Sequence, residues 1–262
     1  MTARDVTASG GAGTPAAAPR ARRVLAQTAF EARMILRNGE QVLVAVVIPV
    51  LALVGLVRAT FVAVDTGGLS RADFLTPGVL ALAVMTASFT SQAIATAFDR
   101  RNGVLRLLAT TPLGRGGLLA GKVLGVLAVE VVQVVLIGGA ALLLGWRPAL
   151  DGLLPALVGV VLGTAAFTAL ALLVAGTLRA EAVLALANLL LLVLALGGGV
   201  IVPADRLPGP LAALAGWSPS GALGDVLRGA LVDGSLPLVP ALVLAGWTVV
   251  LGTLAARLFR WH

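Results

Sequence analysis

Residues 123–146 read VLGVLAVEVVQVVLIGGAALLLGW, 24 residues with a single charged side chain, Glu130. About 20 mainly apolar residues in a helix cross the roughly 30 Å hydrocarbon core of a bilayer. A run this long is outside the range of a strand, so this one reads as a transmembrane helix. Five similar runs are expected around it, at 42–64, 75–98, 153–178, 182–202 and 238–254. Arg58 interrupts the first, close enough to one end for its guanidinium to snorkel to the interface.

The rest of the composition agrees. Across 262 residues, 59% are hydrophobic and 12% charged, with 32 Gly, and the mean hydropathy is +1.03. Soluble domains carry about 25% charged residues. This chain has too little polar surface to coat a water-soluble globule, which excludes a cytosolic enzyme, a secreted binding module and a disordered regulator. The net charge of +7 does not indicate nucleic acid, because the Arg side chains flank apolar runs instead of sharing one soluble face. With no Cys and one His, His262, there is no thiolate metal site, no Cys nucleophile and no HExxH motif.

Residues 1–21 are rich in Ala, Gly, Thr, Pro and Arg and read as a disordered tail. The first long apolar run begins near Val42, too far into the chain for a secretory leader. From Arg22 to Asn38 a helical period appears. Val24, Leu25, Ala29, Ala32, Ile35 and Leu36 share one side, and Arg22, Arg33 and Arg37 cluster on the other. The expectation is an interfacial helix lying on the bilayer, with its Arg residues toward headgroups. Fourteen of the 19 basic residues fall at the N-terminus, in the loop after the second run, at Arg179 and near the C-terminus. The positive-inside rule places those segments, and both termini, in the cytoplasm.

Two connections are longer than turns. The cytoplasmic one opens Asp99-Arg100-Arg101-Asn102-Gly103, continues Val104-Leu105-Arg106-Leu107-Leu108-Ala109, and stops at Thr110-Thr111-Pro112. This predicts a short amphipathic helix with defined ends. The external one, 203–237, holds five Pro residues separated by apolar stretches too short to span, and predicts a re-entrant or interfacial segment before the last run.

Gly116 to Lys122 matches GxxxxGK, but Val123 follows where a phosphate-binding loop needs Ser or Thr. Lys122 reads instead as a headgroup anchor for its span. Glu130, with Gln133 one turn on and Gln92 in the second run, is the candidate intramembrane polar site. Glu130 serves either a substrate cation or proton, or the cementing of the bundle; an ionisable group at that depth has to face protein or water. Gly159 and Gly163 form a GxxxG pair, a small-residue seat for another helix.

Three features together resemble the permease subunits of ABC exporters of the type-2 permease family, with the daunorubicin-resistance branch nearest. They are the loop Asp99–Leu108 followed by Thr111-Pro112-Leu113 and Gly121-Lys122; the external Leu207-Pro208, Trp217-Ser218-Pro219 and Leu227-Arg228-Gly229; and the order of elements over residues 22–260. The family usually opens that loop with Glu and often has a second acid where Arg101 stands here. The resemblance implies an all-α membrane protein: an N-terminal interfacial helix, six transmembrane helices and a re-entrant external segment, forming one transmembrane domain over 22–262. It implies a permease in a bacterial cell membrane that exports a small hydrophobic substrate such as a drug, antibiotic or lipid. A second permease chain, identical in a homodimer or different in a heterodimer, would complete the pathway. Separate ABC ATPase subunits would bind the ATP and Mg, leaving this chain without a cofactor. It assigns coupling to the ATPase to Asp99, Arg100, Gly103, Leu105, Leu108 and Pro112. The competing expectations are a polysaccharide or lipid-linked glycan exporter, and a membrane scaffold or immunity factor that transports nothing.

Overall fold

The computed structural model describes residues 18–59 and 65–259, and among these every regular element is a helix. Residues 1–17, most of the expected tail, lie outside the described residues. Pro19 caps the first helix, so the helix begins at Arg20 within that expected tail.

The helices are α1 (Arg20–Arg37), α2 (39–58), α3 (Arg71–Arg101), α4 (Val104–Ala109), α5 (Gly114–Leu143), α6 (Leu153–Thr177), α7 (Ala180–Gly197), α8 (Pro210–Trp217), α9 (Pro219–Leu231) and α10 (Leu238–Leu258). Five among the described residues, α3, α5, α6, α7 and α10, are long and apolar enough to cross a membrane. They match five of the six expected spans. In α2 the apolar part is the shorter Ala45–Arg58, and residues 60–64 of the expected first span lie outside the described residues.

Helix ends follow local chemistry. Ser70 caps α3, its Oγ accepting from Asp73 N at 3.1 Å and donating to Asp73 Oδ2 at 2.6 Å, so the N-cap hydroxyl satisfies a first-turn N–H. The expected span 182–202 stops early, at Gly197, because Gly199 takes φ 78° and turns the chain; a β-carbon is disfavoured at that angle. In α2, Pro49 has no N–H to give the Ala45 carbonyl four residues back. The helix widens to a π turn over Leu43–Val47 just before it, and Gln133 Nε2 of α5 donates to the Ala45 carbonyl at 2.5 Å.

Helix α6 lies at the centre, packed on α10, α9, α3 and α5. Its GxxxG pair seats α9 of the same chain. A β-carbon on Gly159 would stand 2.5 Å from Val226, and one on Gly163 would stand 2.8 Å from Leu223. The core runs through Phe74, Met85, Phe89, Phe167, Leu223 and Leu244, all buried. Helix α7 leaves Leu189, Leu192, Val193 and Leu196 exposed on its outer face.

Helices α8 and α9 are each too short to span. Ser218 joins them, donating to the Ala215 carbonyl that ends α8 (2.8 Å) and accepting from Gly221 N that starts α9 (3.0 Å). Arg228 of α9 reaches back to the turn after α7, donating to the Val200 carbonyl at 3.0 Å and to the Gly199 carbonyl. Both residues are buried. Arg228→Met is therefore expected to cost about 1–3 kcal/mol for each carbonyl left without a donor. Thermal unfolding of the purified chain checks this, and a melting temperature equal to wild type refutes it.

Candidate functional site

The first region of interest is the membrane-boundary cluster built by α3, α4, α5 and α1. Helix α3 runs on to Arg101, and Gly103 then takes φ 80° and reverses the chain into α4. Leu105 is the base of α4. It is fully buried with Leu118 of α5, Leu172 of α6, and Ala255 and Phe259 at the end of α10. Leu108 packs half-buried beside it. Thr110 and Thr111 close α4 by donating to the Leu107 and Leu108 carbonyls at 2.7 and 2.6 Å, and Pro112 follows, exposed. The outward face of α4 is Arg106 and Leu107, and Leu107 is 69% exposed. Leu105 thus fixes α4 in place, and Leu107 is what α4 presents. The helical spacing of the sequence put both on an amphipathic turn but did not say which of them faced in.

The other coupling candidates are tied into the same region. Arg100 donates to the Leu178 carbonyl in the α6–α7 turn. Arg101 pairs with Glu181 of α7 at 2.7 Å on the surface and sits over the Phe98 ring at 5.2 Å. Asp99 lies 3.8 Å from Lys122.

Lys122 itself overturns an expectation. It does not reach for headgroups: its side chain is 0% exposed, and Nζ lies 2.9 Å from Glu31 Oε1 of α1. Gln27, one turn before, donates to the same carboxylate oxygen at 2.8 Å. Gly121 and Gly125 of α5 make the approach, since a β-carbon on either would collide with Gln27 or Glu31. Gly116 to Lys122 is helical throughout, so its glycines form no phosphate-cradling loop.

Helix α1 packs on α5 through a polar face that the sequence reading did not single out. The face it buries is Gln27 and Glu31, with Val24, Thr28 and Ile35 half-buried, while Leu25, Phe30, Met34 and Leu36 are exposed. Arg22, Arg33 and Arg37 point away from α5 and are exposed. Arg23 donates to the Pro112 carbonyl, tying α1 to the end of the α4 loop. Sequence reasoning missed Glu31 and Gln27. Their signal was an acid and an amide four residues apart, hence on one face, in a helix otherwise made of Arg and apolar residues.

The second region lies inside the bundle. Glu130 is 1% exposed. Its Oε2 accepts from Thr164 Oγ1 of α6 at 2.5 Å, and its Oε1 has no hydrogen-bond partner among the described residues. Gln133 does not bond Glu130 as its spacing suggested, because Pro49 left the Ala45 carbonyl needing a donor and Gln133 supplies it. Gln92 is buried two turns beyond Val84 on α3, its Oε1 also without a partner among the described residues. No hydrogen bond links the three to one another among the described residues. Glu130 alone lines a cleft of about 400 Å³ between α3, α5, α6 and α9, with Val84, Val131, Val134, Leu157, Leu227 and Trp146 among its walls.

No curated protein matches the chain. The family model for the ABC-2 type transporter matches residues 22–232, from α1 through α9, which takes in α4, Glu31, Lys122 and the cleft beside Glu130 but not α10. A bundle of apolar helices, a short boundary helix anchored at its base and bare on its outer face, and this match lead to one assignment: the chain belongs to the ABC-2 type transporter family, as a multi-pass membrane permease subunit of an ABC transporter.

Proposed function

We propose that this chain is the membrane half of an exporter, working with a separate ABC ATPase subunit that docks against α4. The observation that carries the reading is the two-sided character of α4. Leu105 fixes it to the ends of α5, α6 and α10, while Arg106 and Leu107 stand bare on the other side. A force applied to α4 is thereby delivered to three long helices at once. Through Arg100 it also reaches the α6–α7 turn, and through Arg23 at Pro112 it reaches α1. Gly103 supplies the reversal that sets α4 at its angle.

In this reading the Arg-rich side faces the cytoplasm of a bacterium, α8 and α9 re-enter from outside to cap the pathway, and a second permease chain completes it. The substrate is a small hydrophobic molecule, such as a drug, antibiotic or lipid. The apolar cleft beside Glu130 favours that class over a glycan, which would need polar walls.

The test is purification of the tagged chain in mild detergent from its native membrane. A stoichiometric subunit with its own phosphate-binding loop is expected to accompany it. A chain that comes out alone, or with a partner lacking that loop, under conditions that preserve known complexes, rejects the reading in favour of a scaffold.

A further inference from the structure

We propose that the cleft at the elbow between α1 and α2 is a binding site for one anionic phospholipid of the inner leaflet. The amphipathic pattern of α1 turns Arg residues toward headgroups in general; the cleft makes of this a discrete site that selects charge. The inference goes beyond the export reading and takes from it only the orientation, with the α4 side in the cytoplasm.

Asn38 leaves helical geometry at the end of α1, with φ −91° and ψ 101°, and the chain resumes as α2 at Gly39. The bend opens a cleft of about 710 Å³ lined by Phe30, Arg33, Met34, Arg37, Asn38 and Gly39. Its depth in the bilayer follows from what lies beside it. Gly121 and Gly125 of α5 meet Gln27 and Glu31 of α1, and Gln133 of α5 meets Ala45 of α2. Helices α1 and α2 therefore climb beside α5 in the same direction, and the elbow falls between the levels of Gly125 and Gln133. The apolar run of α5 begins at Val123, so the elbow stands beside its opening turns, at the inner rim of the hydrocarbon.

Arg33 and Arg37 are one turn apart on the same face and both line the cleft. Arginine keeps its charge in a protein. Neither forms an ion pair among the described residues. Glu31, the one acid of α1, is buried on the face toward α5, where Lys122 and Gln27 hold it. Glu40 follows the elbow in sequence, and its charge counted in full still leaves residues 33–40 net positive. At the rim of a bilayer the anions within reach are lipid phosphates, whose oxygens match the guanidinium fork.

The surroundings of the Arg pair suit the rest of a phospholipid. Phe30 and Met34 flank the pair and are exposed. Beyond Gly39, Leu43, Val47, Ile48 and Leu51 of α2 are exposed as well. This apolar strip leads from the cleft toward the middle of the bilayer, the path of an acyl chain. A soluble phosphate would use the Arg pair and leave the strip bare. An acidic protein segment would have no use for a strip at hydrocarbon depth. One anionic phospholipid occupies both parts.

The experiment is native mass spectrometry of the purified full chain in detergent, titrated with dioleoyl phosphatidylglycerol or dioleoyl phosphatidylcholine. Phosphatidylglycerol is expected to bind saturably and about tenfold more tightly, the order expected of two Arg side chains acting on one net negative charge. Arg33→Gln/Arg37→Gln should remove most of that preference. Arg179→Gln/Arg257→Gln, the same loss of charge at exposed sites off the cleft, should keep it. Gly39→Asp is the second cleft variant. The space beside Gly39 is open, and an acid suits the first turn of a helix, so the fold should survive while the added carboxylate repels the phosphate and removes the preference. Excess glycerol 3-phosphate should not displace the lipid.

Four results would overturn the proposal. They are no saturable phosphatidylglycerol binding, an undiminished preference in a folded cleft variant, an equal loss in Arg179→Gln/Arg257→Gln, or displacement by glycerol 3-phosphate, which would make this a site for soluble phosphate. If Arg33→Gln/Arg37→Gln does not fold, Gly39→Asp decides. Lipid binding needs no ATPase, so a failure here leaves the ATPase partnership standing, and a failed co-purification leaves the lipid result standing.

Discussion

Glu31→Gln is expected to lower the stability of the purified chain by about 3 kcal/mol, the low end of the cost of breaking a buried ion pair. Lys122 is fully buried, and its Nζ lies 2.9 Å from the Glu31 carboxylate. It makes no aligned hydrogen bond, so the contact is chiefly coulombic. Removing the negative charge leaves the ammonium buried with only Asp99, at 3.8 Å, to offset it. Asp99 is a quarter exposed and is therefore a screened, partial substitute. The double variant Glu31→Gln/Lys122→Met should recover most of the loss, because an apolar replacement of both partners removes the uncompensated charge along with the pair. Thermal unfolding of the three proteins in one detergent measures this. A single variant as stable as wild type, or a double variant less stable than the single, contradicts a paired Lys122 and restores the headgroup-anchor reading.

The second large effect concerns α4. Leu107→Asp is expected to reduce ATP-driven transport by the assembled complex at least tenfold, with the unfolding temperature of the chain nearly unchanged. Leu107 is two-thirds exposed, and surface substitutions usually fall within about 0.5 kcal/mol. Its cost arises only where a partner covers it. Leu105→Asp is expected to do the opposite. It places an unpaired charge among Leu118, Leu172 and Phe259 and should destabilise by more than about 3 kcal/mol, losing transport through damage to the fold. Equal transport by wild type and Leu107→Asp would remove α4 from the coupling surface.

The contrast between these two leucines marks where the sequence stops being informative. Apolar runs gave the long helices, because a bilayer demands length and hydrophobicity whatever the fold. The Asp99–Pro112 pattern marked a short helix, because caps and breakers act locally. Facing was not legible. In water the apolar side of a helix is the inside. In a bilayer the lipid side is equally apolar: periodicity in α1 marked Leu25 and Leu36 as its bilayer side, and both are exposed, but it did not mark Gln27 and Glu31 as the face packed on α5. Lys122 was misread for the same reason: a basic residue at the start of an apolar run fits an anchor as well as a buried pair, and the partner that decides is about 90 residues away on α1. Gln133 was assigned to Glu130 by spacing, but Pro49, on another helix, had already created the carbonyl that claims it. Thr164, which does bond Glu130, is one of several Thr residues in the spans, and nothing local sets it apart.

The chain contains no Cys, so a single introduced cysteine reports on one position alone. The most direct test of the account attaches a short photo-crosslinker to Cys at position 107, or in parallel at 105, in the native-membrane complex. The account predicts a crosslink from position 107 to a subunit carrying a phosphate-binding loop, and none to that subunit from position 105. A complex that contains the ATPase but gives no crosslink from 107, or gives one equally from 105, would contradict the assignment of α4 as the surface through which ATP drives this permease.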